Sequence, residues 1–258
     1  FWNYMIISFL LLFFCLIYCS VILLFFFGLF KKGTVPSRAQ PFVSVVIALK
    51  NEEKNLGALI SGLKNQDYPK DNHEILLVDN ESDDNTFAKL QEITKNLPNF
   101  KIFSTKNYQS DFRYKKEAMM LGIENSRGEI ILSTDADCIV PATWISGIVK
   151  NFAKDVAMVI GFSEVLADGS FVQKIQKFDF MQLMAAARGS LNLGLVWAGS
   201  GQNLSFRKPA FYQCGGYEGL EKLKGGDDTL FIQKFAKKIE GRVVFANNID
   251  SGVKTRAV

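Results

Sequence analysis

Three acidic clusters are the side chains in this sequence best suited to chemistry: Asp79-Asn80-Glu81-Ser82-Asp83-Asp84, Asp135-Ala136-Asp137 and Gly225-Gly226-Asp227-Asp228. Competing nucleophiles and ligands are scarce. His73 is the single histidine, and it opens the apolar run His73-Glu74-Ile75-Leu76-Leu77-Val78, where it reads as a strand start. Cys15 and Cys19 fall in an apolar N-terminal stretch, Cys138 and Cys214 stand alone, and no C-x-x-C pair exists. That pattern disfavours zinc and Ser-His or Cys-His catalysis, and leaves the work to carboxylates. Asp135 and Asp137 sit two apart after an extended run, so the pleat is expected to point both the same way. Two such carboxylates repel unless a cation or proton lies between them. Oxygen ligands of this kind suit Mg²⁺ or Mn²⁺, held by one or two carboxylates together with substrate phosphates. The plainer reading of one D-x-D is a solvated turn. Asp227 likewise has a plain reading as a helix-start acid facing free N–H groups. Asp228 beside it is not needed as a cap, and with no histidine at hand a general base has to be such a carboxylate.

The elements that position these acids alternate. Strands are expected at 42–49, 74–78, 100–104 and 129–134, and helices around 56–63, 87–93 and 115–125. Strands alternating with helices imply βαβ units, a mostly parallel sheet covered on both faces, and ligand sites beyond the carboxyl ends of the strands. The acids after 78 and after 134 lie there. In the second half a strand is expected at 156–164 and a long helix at 171–188. A Gly-rich loop follows at Gly199-Ser200-Gly201-Gln202-Asn203, then a turn at Gly215-Gly216-Tyr217 and a helix at 227–237.

The chain has 258 residues, 48% hydrophobic and 22% charged, with 30 Lys+Arg against 26 Asp+Glu. That composition excludes a disordered tail, a collagen-like repeat and a small disulfide scaffold. From Tyr4 to Phe30 no residue is charged, and Lys31-Lys32 follow at once. The stretch is long enough to cross a bilayer, and the alternative is a buried core helix. The lysines predict that the large body lies on the cytoplasmic side of the plasma (inner) membrane. The expected organisation is a membrane anchor at 1–32, a polar linker at 33–41 and a catalytic domain at 42–258, divided near residue 140. The net charge of +4 and the lack of a basic stripe give nucleic-acid binding no support.

From about Phe42 to Val258 the chain resembles the family 2 glycosyltransferases. Six motifs carry the likeness: Val45 through Glu52; Val78-Asp79-Asn80-Glu81-Ser82-Asp83-Asp84-Asn85-Thr86; Lys115-Lys116-Glu117-Ala118 with Gly122; Gly128-Glu129-Ile130-Ile131 into Asp135-Ala136-Asp137; Asn203 through Arg207 followed by Gly215-Gly216-Tyr217; and Gly226-Asp227-Asp228. They stand in the family's order over some 180 residues. The resemblance implies a GT-A fold: an α/β domain with a Rossmann-like, mostly parallel sheet, here preceded by one transmembrane helix. It implies inverting, metal-dependent sugar transfer from a nucleotide-sugar donor, favouring UDP, to a lipid-linked or cell-envelope saccharide acceptor. By position it implies base contacts from Glu52 and Asp79, and a place in the nucleotide site for Lys115. Asp135 and Asp137 would hold the diphosphate through Mn²⁺ or Mg²⁺, Asp227 would contact substrate, and Asp228 would be the base. Departures from the pattern are Asn80-Glu81 in place of the commoner Asp-Gly, Tyr114 where glycine is frequent, and Asp227 in place of Glu. No Q-x-x-R-W motif is reached before Val258, so the sequence reads as a tether and catalytic domain cut short. Two other classes remain open on the residues alone. One is a HAD-type phosphatase, although Ile139 stands where its threonine would be. The other is a binding scaffold that has retired its chemistry.

Overall fold

The continuous β-branched run Val43–Leu49 (β1) and the run His73–Asp79 (β2) are buried on both faces, the mark of central strands in a parallel sheet. They come from a computed structural model that describes residues 2–31, 36–223, 226–246 and 248–256. An apolar helix, α1 (Trp2–Leu29), comes first. The α/β body then continues through α2 (Leu56–Lys64), α3 (Thr86–Thr94), β3 (Phe100–Ser104), α4 (Lys115–Asn125), β4 (Ile130–Ser133) and α5 (Trp144–Val149). Beyond these come β5 (Val156–Ile160), β6 (Ser163–Leu166), α6 (Phe171–Asn192), β7 (Leu204–Arg207), α7 (Lys208–Gln213), α8 (Asp227–Lys238), β8 (Arg242–Phe245) and β9 (Val253–Arg256).

One seven-stranded sheet has the order β3-β2-β1-β4-β7-β5-β8. β1 pairs in parallel with β2 and β4, and β2 with β3, whereas β7 runs antiparallel between β4 and β5. The sheet is therefore mostly parallel, as expected. Alternate side chains divide the core in two. Val43, Val45, Ile47 and Leu49 pack with Leu56, Leu59, Leu63 and Trp144 on one face. Val46 and Ile131 join Met119, Phe206, Phe211, Phe231 and Phe235 on the other. On α2 the spacing Leu56, Leu59, Ile60, Leu63 is the buried stripe that the sequence predicts.

Two expectations are corrected. The strand expected at 156–164 is two strands: β5 belongs to the large sheet, and β6 pairs with β9 in a separate two-stranded sheet. The chain bends at Gly161, where a Cβ would lie 2.2 Å from the Asn203 side chain, and Asn203 Nδ2 donates to the Phe162 carbonyl at 2.9 Å. The long helix runs on past Arg188 to Asn192. α1 is not a core helix, since its most apolar stretch has none of its residues buried. It is the helix among the described residues that is long and apolar enough to cross a membrane. Lys32 and residues 33–35 of the expected linker lie outside the described residues.

Candidate active site

β1 is the switch point of the sheet, because β2 and β3 extend to one side of it and β4 lies on the other. A crevice opens between strand ends at such a point. There Lys50, Glu52, Asn80, Lys115, Asp135 and Asp137 line a cleft of about 680 Å³. The loops after β1 and β2 are laced together: Asn51 N–H donates to Ser82 Oγ at 2.9 Å, and Asp83 N–H to Asn51 Oδ1 at 2.8 Å. Asn51, Glu81 and Tyr114 all have positive φ, so strained backbone rings the cleft. At Tyr114 φ is 62° and ψ −146°, a region that glycine occupies most easily. That conformation explains why glycine is frequent at this position of the motif and why tyrosine there costs about 1–3 kcal/mol.

Glu52 is fixed by Asn55, whose Nδ2 donates to Oε2 at 2.7 Å. Burial, with Asp137 and Asp135 nearby, nonetheless holds its carboxyl above the usual range. Asp79 ends β2 one residue before Asn80 and is buried; its Oδ2 accepts from Ser82 N–H at 3.4 Å. Asp79 Oδ1 is buried with no hydrogen-bond partner, an acceptor that a ligand N–H would satisfy. Asp135 and Asp137 do reach one cleft, but not through a pleat. They stand in a reverse turn past β4, closed by Cys138 N–H donating to the Asp135 carbonyl at 3.2 Å. Asp137 Oδ2 accepts from Thr255 Oγ1 at 3.1 Å, which ties the turn to β9. Burial beside these two acids pushes the Cys138 thiol up to about 12, so it stays protonated.

Lys115, the first residue of α4, forms an ion pair with Asp135. Burial opposes its charge, but Asp135 and Asp228 outweigh that and hold its ammonium above the ordinary lysine value. Asp228 lines a second cavity of about 420 Å³ that it shares with Phe180, Leu183, Met184 and Trp197. Its Oδ2 accepts from Gly201 N–H at 3.1 Å. Burial first, then repulsion from Asp135 and Asp227, raises its carboxyl despite the attraction of Lys115.

Of the expected site residues, the first cleft brings together Glu52, Lys115, Asp135 and Asp137, while Asp228 holds the second cavity. Asp79 lines neither, and nor does Asp227. Its Oδ2 accepts from Lys116 Nζ at 2.9 Å, and Lys116, buried in α4, also donates to the Leu223 carbonyl at 2.6 Å. Nor does Asp227 cap the helix, a place taken by Gly226 in a left-handed conformation. Gly201 and Asn203 are contributions to which the sequence pattern assigns no role. A Cβ on Gly201 would sit 2.2 Å from Asp228 Oδ2. Asn203 accepts from Trp144 Nε1 and donates to the carbonyls of Phe162 and Ser251, which pins the loop that carries Gly201. The signal available was a Gly-rich loop with one embedded amide.

The described residues contain no group of three or more His, Cys, Asp or Glu arranged to cage a metal. Asp135 and Asp137 in an open cleft do fit a hard divalent cation that completes its shell with substrate phosphates and water.

A family model described as glycosyl transferase family 2 matches residues 44–213. The chain is 30% identical over 146 residues to the glycosyltransferase AglE of Haloferax volcanii, covering 55% of this chain and 47% of that protein. It is 33% identical over 121 residues to a beta-monoglucosyldiacylglycerol synthase of Synechocystis, covering 47% and 24%. The chain thus spans about a quarter to a half of the length of these curated relatives. Among solved structures, the mannosyltransferase PcManGT of Pyrobaculum calidifontis, in complex with GDP-Man and Mn²⁺, superposes with a TM-score of 0.69 at 20% identity, covering 92% of this chain and 64% of that one. TarS of S. aureus in complex with UDP-GlcNAc gives 0.59 at 16%, covering 84% and 58%. Both likenesses concern the fold.

Proposed function

The chain belongs to glycosyl transferase family 2, and from that premise we propose that it transfers a sugar from a nucleotide-sugar donor, a UDP-sugar first, to a lipid-linked or cell-envelope saccharide acceptor, with inversion. The observation that carries this reading is the half-buried carboxylate of Asp228, held by Gly201 N–H and close enough to Lys115 and Asp135 to feel both charges. A carboxyl in a cavity beside the metal-binding cleft, with its proton affinity raised, supports a general base.

The base and ribose of the donor lie against Glu52 and Asp79, where the unpartnered Oδ1 accepts a ligand N–H. Lys115 supplies fixed positive charge beside the phosphates. Asp135 and Asp137 would hold Mn²⁺ or Mg²⁺. When bound, such an ion offsets the charge that grows on the departing nucleoside diphosphate. Asp228 takes the proton of the acceptor hydroxyl as its oxygen bonds to the anomeric carbon. The bond from that carbon to the diphosphate oxygen breaks, the electron pair leaves with the diphosphate, and one displacement inverts the centre. α1 crosses the plasma membrane and, by the charge of Lys31 at its end, places this site on the cytoplasmic side.

The test is a panel of UDP-, GDP- and dTDP-sugars with Mn²⁺, scored for acceptor-dependent diphosphate release and for the product anomer by NMR. A UDP-sugar is expected to turn over, with the anomeric configuration inverted. Retained configuration would overturn the single displacement, and no release from any donor would overturn the activity.

A further inference from the structure

Sugar transfer makes no use of the outer face of α6. α1 and α6 meet backbone to backbone: a Cβ on Gly28 would lie 2.2 Å from the Gly189 carbonyl oxygen, and a Cβ on Gly189 2.2 Å from that of Phe25. Asn192 Nδ2 donates to the Gly28 carbonyl at 3.1 Å, and the Phe25 ring lies 6.1 Å from Trp197. Contact this close fixes the direction in which α1 leaves the domain. Along α6, Phe178, Ile175 and Phe171 precede Gly189 by 11, 14 and 18 residues. At 3.6 residues per turn those offsets bring all three within about 40° of the glycine. They are 58%, 51% and 77% exposed, and Val172, next to Phe171, is exposed too. The face on which α1 docks therefore leads, past the exposed Gln182, to an exposed apolar cluster that ends about 27 Å away at the start of α6. An exposed apolar cluster of this kind marks an interaction site. The other side of the helix is spoken for: Lys177 pairs with Glu164 of β6 at 2.6 Å, and Met184, Ala187 and Leu191 enter the core.

We infer that α6 is an interfacial helix, seated along the bilayer surface with Phe171, Ile175 and Phe178 at the boundary between head groups and acyl chains. The inference rests on the reading of α1 as a membrane span. Position names the occupant, because the apolar cluster lies on the helix face to which an exposed apolar helix of membrane-crossing length is locked. An amphipathic helix of this length binds such a boundary through its buried apolar area. α6 also contributes Phe180, Leu183 and Met184 to the cavity that holds Asp228. Seating the helix brings that cavity to the lipid surface.

The experiment uses the full chain with Cys15→Ala and Cys19→Ala, the two exposed cysteines, in vesicles of phosphatidylcholine and phosphatidylglycerol. Nitroxide labels are placed singly through Leu12→Cys on α1, Ile175→Cys and Phe178→Cys on α6, and Glu92→Cys on α3 at the opposite edge of the sheet. Power-saturation spectroscopy then compares collisions with oxygen and with a water-soluble nickel chelate. The expected oxygen-to-chelate ratio is severalfold higher at positions 12, 175 and 178 than at 92. Chelate-dominated collisions at 175 and 178, with oxygen still dominant at 12, would show α6 in water and overturn the inference while the span stands. Shielding of 175 and 178 from both reagents would mean that protein covers the face, and overturns it equally. Chelate-dominated collisions at 12 would remove the span itself.

Discussion

Asp135 and Asp228 are the same side chain in two opposed settings. The Asp135 side chain is about one-third exposed, on a turn in a cleft with Asp137, and paired with Lys115. Asp228 is half-buried at the head of α8, in a cavity it shares with Phe180, Met184 and Trp197, and accepts from one backbone N–H. An accessible carboxylate beside a second one is placed to take a hard divalent cation. Burial beside other acids raises proton affinity, and so favours a group that accepts a proton during turnover. Lys115 feels both acids and is held charged by them. The proposed division of labour thus rests on surroundings, since the residues are the same.

The sharpest way to break the comparison is Asp228→Asn, which keeps the shape and the Gly201 contact but cannot take a proton. It is expected to lower kcat by about 10²–10⁴-fold, while titration calorimetry finds nucleotide affinity in Mn²⁺ unchanged. Equal turnover would identify another base. Asp135→Asn is expected to do the converse, weakening Mn²⁺-dependent nucleotide binding by at least about tenfold. Gly201→Ala probes the link between loop and base, because its new methyl would press on Asp228. Overpacking of this kind costs about 1–3 kcal/mol, read as a lower Tm, and kcat should fall with the donor Kd preserved. The smallest effect is in pH dependence. Folding raises the Asp228 carboxyl, and the base works only when ionised, so kcat/KM should fall as pH drops through that raised value. The acid limb then lies above the ordinary aspartate value of about 3.9. A limb at or below it would assign the step elsewhere.

Much of the first half was legible because its elements are local. Phe100–Ser104 and Lys115–Asn125 have the bounds that their runs predict, and β1 and β2 are bare β-branched stretches bounded by polar residues. The other half depends on distant partners. The bend at Gly161 is made by Asn203, some 40 residues on, and no periodicity within 156–164 announces it. The fate of Asp227 was set by Lys116, a lysine buried at 3% exposure on a helix from the other half. The turn at Asp135-Ala136-Asp137 has no glycine or proline to mark it. Four- and six-residue elements such as β7 and α5 are too short for a pattern to separate them from loop. The candidate site residues come from motifs, whereas their environments, which decide what each can do, come from the fold.

The antiparallel strand β7 also has a bearing on the order of assembly. β4 pairs with β1 on one side, and on the other with Leu204–Arg207, a stretch made roughly 70 residues later. At a synthesis rate of about 5–20 residues per second, the open edge of β4 waits roughly 4 to 14 s for its neighbour. During that interval β1, β2 and β3 have all their strand partners and β4 has one of its two, so the later strands β7, β5 and β8 must be laid against them. The half built from β1–β4 is therefore the template, and the half that bears Asp228 is cast on its exposed edge.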